Sequence, residues 1–227
     1  MAKKYSPIAY QRRKARAAAA ALVASGFKID TDLWFQRIDT GMDQMDAMAV
    51  AAAQIAELPY EMSVLITPDG TVFASKGEYG TVAPPYDEVV GAGYKVSELV
   101  DLHNHPPSRD GARKFGGPPS NDDWSAMFRT GMYESYIVAP EGRYTLKAAR
   151  RIDNGVEMTP KAKSFFDGGH RSQYIQLADV KYRRNREKYD VPGGYMKASY
   201  AVLQEYAKYY EFDVVFQPNP GWENLYS

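Results

Sequence analysis

The sequence contains no cysteine. That removes disulfides, thiolate metal sites and cysteine nucleophiles together, and it suits a reducing compartment. Histidine is almost as scarce, with three in 227 residues. An excess of charge of one sign is missing too: 28 basic side chains balance 28 acidic ones. No broad field therefore gathers nucleic acid or anionic membrane, and neither is an expected partner. No stretch approaches the roughly 20 consecutive apolar residues of a membrane-spanning helix. The softest run, Ala17 to Ala24, follows Arg12, Arg13, Lys14 and Arg16, which is the order of a signal peptide. Its basic part is long and its apolar part weak, so it reads instead as a soluble amphipathic helix, and a cytoplasmic protein is expected.

What remains has the balance of a globular protein, with 44% apolar and 25% charged residues. The length suits one catalytic domain with extensions, or two small domains. Residues 1–58 read as helical. Gln11 to Ser25 stops at Gly26, and Met42 to Leu58 carries apolar residues at helical spacing and ends near Pro59. The texture changes at Glu61. Met62 to Thr67 and Thr71 to Ser75 flank a Pro68-Asp-Gly70 turn and predict a hairpin. A helix is expected from Tyr86, and Leu99, Val100 and Leu102 predict a third strand running into His103. A helix starts at Ser120 and ends by Gly131, and Ser135 to Ala139 with Tyr144 to Ala148 predict a second hairpin around Pro140-Glu-Gly142. Beyond Arg150, Tyr174 to Lys188 and Met196 to Tyr210 look helical, and Phe212 to Phe216 reads as a last strand.

The chemistry concentrates in two short segments. His103 and His105 are separated by Asn104 and followed by Pro106. On an extended strand, residues i and i+2 point to one face, so both imidazoles aim at one place. Asp123, three residues after Ser120 at a helix start, can add a carboxylate oxygen. Two imidazoles and one carboxylate leave a fourth position on a divalent ion, the pattern of catalytic rather than structural zinc.

The JAMM (MPN+) metallopeptidases carry an upstream Glu, then His-x-His-Pro, then Ser-x-x-Asp. This chain resembles that pattern through Glu61, His103-Asn-His-Pro106 and Ser120-Asn-Asp-Asp123. Its text is most similar to RadC-like and phage- or toxin-associated bacterial members. The resemblance covers about residues 55–150 and implies an α/β, MPN-like (cytidine-deaminase-like) mixed sheet flanked by helices. Residues 1–54 would then be a helical N-terminal extension, 55–150 the catalytic domain, and 151–227 a mainly helical C-terminal extension. The resemblance further implies Zn2+ on His103, His105 and Asp123, with Glu61 as proton carrier and Ser120 as donor to the oxyanion. The substrate would be a protein or peptide, ubiquitin-like conjugates among the candidates. One departure is the spacing: residues 106–122 between His105 and Asp123 are more than the family usually has. The surplus, Pro107 to Gly117, reads as a loop insertion, which costs little entropy.

Plainer readings stand beside these. Ser120 and Asp123 also have the spacing of a capping box. Glu57 and Glu78 compete with Glu61, and Asp101 and Asp122 lie near the ligand set, Asp101 more naturally supporting a histidine. His170 reads as an ordinary surface residue. The basic residues from Lys181 to Lys188 read as a solvated helix face. Tyr200, Leu203, Tyr206, Ala207 and Tyr210 form a stripe, first of all core packing and secondly a docking surface. Val100 to His105 also resembles the Asp-x-His-x-His opening of PHP-type phosphoesterases, whose multinuclear centres need further histidines. A third alternative is a JAMM-like module kept as a non-catalytic scaffold.

Overall fold

The computed structural model describes residues 26–78, 80–107, 114–167, 173–189 and 193–226. The helix expected over Gln11 to Ser25, the middle of the inserted loop and His170 lie outside them. Nine strands are named in chain order: β1 (Phe35–Ile38), β2 (Met62–Ile66), β3 (Val72–Lys76), β4 (Val100–Asn104), β5 (Glu134–Ala139), β6 (Gly142–Ala148), β7 (Arg151–Ile152), β8 (Gly155–Val156) and β9 (Phe212–Pro218). The helices are α1 (Gln44–Ile55), α2 (Tyr86–Gly91), α3 (Asn121–Thr130), α4 (Pro160–Asp167), α5 (Gln173–Arg184), α6 (Arg186–Tyr189) and α7 (Gly194–Tyr210). No helix among the described residues is long and apolar enough to cross a membrane.

Seven strands form one mixed sheet in the order β1-β3-β2-β4-β5-β6-β9. Neighbours are antiparallel except β4 and β5, which run parallel. A parallel pair needs a crossover, and α3 supplies it. The fold is therefore mixed α/β, with helices on the sheet.

Strand alternation sorts the residues. Val100 and Leu102 on β4, Val64 and Ile66 on β2, and Tyr136 and Val138 on β5 pack with Ala47, Ala51 and Ile55 of α1. The alternate residues face the other way. There Ile137, Tyr144 and Leu146 pack against Trp124 and Phe128 of α3 and Leu203 and Tyr206 of α7. A smaller cluster of Leu65, Phe73, Val89 and Leu99 lies on the same face, further along the sheet. Asp101 and His103 project from β4 on that face.

The hairpins at β2–β3 and β5–β6 form where the turn residues predict them. Three expectations are corrected. Residues 1–58 are not helical throughout, because β1 joins the sheet edge on β3. Phe35-Gln-Arg-Ile38 is too short and too polar to show a strand period; pairing with β3 and contacts across the strands, Phe35 and Arg37 on the Phe73 ring and Ile38 against the core, recruit it. The long helix over Tyr174 to Lys188 is broken at Asn185 into α5 and α6, where the Asn185 amide donates to the Lys181 carbonyl. The short β7–β8 hairpin and α4 lie where no element was expected. The tyrosine stripe of α7 is core: Tyr200, Leu203, Tyr206, Ala207 and Tyr210 are all buried. Strands β1 and β9, from the two flanking regions, complete the edges of the central sheet.

Trp124 ties α3 to this core. Its side chain is fully buried, stacked on Tyr210 and Phe212 with ring centroids 5.3 and 5.2 Å apart. Gly131, with φ +73°, ends the helix in the left-handed conformation that glycine favours. Trp124→Ala is expected to lower stability in chemical denaturation by about 3–5 kcal/mol, the usual cost of emptying such a site. A loss under about 1 kcal/mol would mean that α3 is held elsewhere.

Candidate metal centre

His103 lies on β4, opposite Ser63 of β2 and beside Ile137 of β5. His105 follows the end of the strand, and its N–H still donates to the Val138 carbonyl. The backbone around both imidazoles is therefore tied to the sheet. Asn104 points to the opposite face, fully buried, where its side-chain oxygen accepts the Met62 N–H at 2.7 Å and its amide donates to the Tyr60 carbonyl at 2.9 Å. It thus clamps the two residues that flank Glu61. Sequence reasoning gave Asn104 no role, although a buried-strand position occupied by an amide is a signal of such bracing.

Asp123 is the third residue of α3, with Ser120 as N-cap. The Ser120 hydroxyl accepts the Asp123 N–H at 3.3 Å and the Asp123 Oδ2 accepts the Ser120 N–H. The capping box is real, and it aims the carboxylate rather than consuming it. Asp123 Oδ1 stands 3.1 Å from His103 Nε2, and Oδ2 stands 3.4 Å from His105 Nε2. Each of the three residues has a ligand atom within 4.8 Å of those of the others. Two donors 2.0–2.1 Å from a tetrahedral ion would be roughly 3.4 Å apart, so one ion fits with small adjustments. His103 is 8% exposed, and its Nε2 is buried without an aligned hydrogen bond despite its closeness to Asp123. This buried His-His-Asp group can hold a metal ion.

Glu61, Ser120 and the three candidate ligands line one cleft of about 560 Å3. Glu57 and Glu78 are exposed and do not line it. Asp122 reaches the rim, and Asp101 lies on the floor. Neither belongs to the converging group. Asp101 Oδ2 accepts the Ser135 hydroxyl at 2.5 Å, so its support for His103 is through charge. The other ring nitrogen of His105 is committed: Nδ1 lies 3.1 Å from the Gly117 carbonyl, which only accepts, so Nδ1 carries the hydrogen and Nε2 is free to ligate.

Burial raises the Glu61 carboxyl above its ordinary range, against the pull of His105 and His103 and with the push of Asp123. For His103 burial works downwards, but the carboxylates of Asp123, Asp101 and Glu61 overcome it and lift the imidazolium to about 9. Burial would raise Asp123, and the two histidines overturn it, holding the carboxyl well below the usual range. Without a metal the proton thus sits on the imidazole and the charge on the carboxylate.

Two opposite pH slopes follow. The raised His103 contributes stability that is complete below its ordinary value of 6.5 and lost as pH rises through about 9. The lowered Asp123 contributes stability present above its ordinary 3.8 and lost as pH falls below it. The melting temperature of metal-free protein should therefore fall between pH 6.5 and about 9, and Asp123→Ala should flatten that fall. Added zinc should stabilise more strongly across the same interval, because it needs the deprotonated imidazole. A metal-free melting temperature equally flat in both proteins would contradict this electrostatic account.

Compared with known proteins, the chain matches no family model, no curated protein and no solved structure, so its function rests on the geometry of this cleft.

Proposed function

We propose that the chain is a zinc-dependent metallopeptidase of the JAMM type, hydrolysing a peptide or isopeptide bond. The observation that carries the proposal is the meeting of five residues from three separate segments in one cleft: Glu61, the pair His103 and His105, and the pair Ser120 and Asp123. They are the residues that the motif resemblance singles out. A mixed sheet flanked by helices is compatible with the MPN-like fold that the resemblance implies.

Zinc suits the donors, two imidazole nitrogens and one carboxylate, with no thiolate. When bound, the ion supplies Lewis acidity, polarising the scissile carbonyl and making water acidic near neutrality. The protein's own groups do the rest. The Glu61 carboxyl, raised by burial, accepts a proton from the attacking water and returns it to the leaving amine. The Ser120 oxygen is already an acceptor for its helix, leaving its hydrogen to donate to the oxyanion. Asn104 keeps Glu61 in place by holding the backbone on both sides of it. The substrate of such an enzyme is a protein or peptide, and a ubiquitin-like conjugate is one candidate.

A PHP-type phosphoesterase would need ligands for two or three ions. Among the described residues only His103, His105 and Asp123 converge, which favours a single ion. A non-catalytic scaffold would have no use for a half-buried Glu61 facing the candidate ligands.

Glu61→Gln separates binding from chemistry. The variant should retain zinc at wild-type stoichiometry while losing at least about a hundredfold in hydrolysis, the usual contribution of a general acid–base group. The assay would use a panel of peptide and isopeptide substrates followed by mass spectrometry. Wild-type protein that holds zinc yet cleaves nothing in the panel favours the scaffold; undiminished cleavage by Glu61→Gln removes the proposed proton carrier.

A further inference from the structure

Glu141 occupies the turn between β5 and β6 and is fully buried. A carboxylate removed from water is costly unless hydrogen-bond donors surround it. The turn itself asks for no acid, since Pro140 and Gly142 already bracket it. The donors that justify Glu141 come largely from elsewhere in the chain. The Gly116 N–H donates to Oε2 at 2.9 Å and the Gly117 N–H to Oε1 at 2.7 Å, while the Tyr144 hydroxyl donates to Oε1 at 3.1 Å. The carboxylate thus grips two consecutive peptides of the segment that returns from the inserted loop.

That segment touches the metal centre directly. The Gly117 carbonyl accepts the Nδ1–H of His105 at 3.1 Å. Gly116 lies on the His105 backbone so closely that a Cβ there would stand 2.0 Å from the His105 carbonyl oxygen. Gly117 has φ +101°, a conformation that side chains avoid. Both glycines are needed for the peptide to come this near, and the acid fixes it once there. Pro118 and Pro119, with restricted φ, then join it to Ser120, the cap of α3.

The geometry points to Glu141 as a positioning residue for the metal centre: through the Gly116 and Gly117 peptides it holds His105 as the Nδ1–H tautomer, with Nε2 turned to the ion. The role rests on the reading of His103, His105 and Asp123 as ligands. A ligand histidine presents the correct nitrogen only when its other ring N–H is held, and such outer partners commonly govern metal affinity. Here the partner is a backbone carbonyl, and a backbone carbonyl in a long loop is only as well placed as whatever anchors the loop. Glu141 is that anchor. In Glu141→Gln the side-chain oxygen can still accept one peptide N–H, but the amide group opposes the other, so the clip loosens without a change of volume.

The test uses the full chain with zinc alone as the probe. Zinc dissociation constants are measured by competition with a chromophoric chelator for wild type, Glu141→Gln and Glu141→Ala, with melting curves alongside. Nitrogen-15 spectra of the imidazoles report which ring nitrogen of His105 carries hydrogen in the zinc-loaded protein. The expected result is an exchange-protected Nδ1–H on His105 in wild type. Glu141→Gln should melt cooperatively, bind zinc about 10–100-fold more weakly and lose the protection of that hydrogen. A purely structural role would lower the melting temperature and leave the zinc affinity of the folded protein unchanged, which would overturn the proposal. So would a wild-type protein in which His105 ligates through Nδ1, a result that decides the matter even if neither variant folds. Wild-type protein that takes up no zinc would overturn the metal reading itself, whereas unchanged affinity in the variants would remove only the part assigned to Glu141.

Discussion

The structure turns on the attraction between one buried carboxylate and two imidazoles. Asp123 reaches His103 and His105 at 3.1 and 3.4 Å, and every neighbouring element serves that meeting. The alternation of β4 sends Val100 and Leu102 into one core and His103 to the opposite face. The capping box at Ser120 points Asp123 back toward the strand, and Trp124, the next residue, sinks into the aromatic cluster beneath α3 and α7. The site lies on the face that carries two apolar clusters, so hydrophobic burial there keeps the sheet and the helix rigid around a polar gap.

Such a gap is expensive to maintain. Glu61, Asp101 and Asp123 bring three carboxyl groups into mostly buried surroundings, with two imidazoles as their counterweight. Burial raises Asp101 and Glu61, which tends to neutralise them, while Asp123 stays ionised by drawing a proton onto His103. Charges buried in this way seldom add net stability. Clusters of perturbed groups in a cleft belong instead to functional sites. A divalent cation would replace the shared proton and match the local negative charge. Under the proposed function, the cluster would supply affinity for the ion and basicity for the reaction.

Much of this was legible in the chain. Apolar runs bounded by Pro68-Asp-Gly70 and by Pro140-Glu-Gly142 predicted both hairpins, because turn chemistry and period-two patterning are local. The His-x-His spacing and the Ser-x-x-Asp helix start were readable for the same reason. What could not be read depends on pairing across distance. Phe35-Gln-Arg-Ile38 is a strand because β3 offers it an edge. Asn104 looked like a spacer between histidines, yet it joins β4 to the backbone on either side of Glu61 across 42 and 44 positions of sequence. Glu141 looked like part of a turn, and its partners Gly116 and Gly117 lie in a loop read only as an insertion. The candidate ligands had a sequence signal; the groups that aim them did not, since any buried polar residue can serve once the fold brings it near.

The central claim is that His103, His105 and Asp123 together retain one metal ion. Elemental analysis of the full chain, loaded with zinc and dialysed free of excess, tests it most directly. The account predicts close to one zinc per chain for wild type and almost none for Asp123→Ala. Wild-type protein that retains no zinc, or an Asp123→Ala variant that retains as much as wild type, would contradict it.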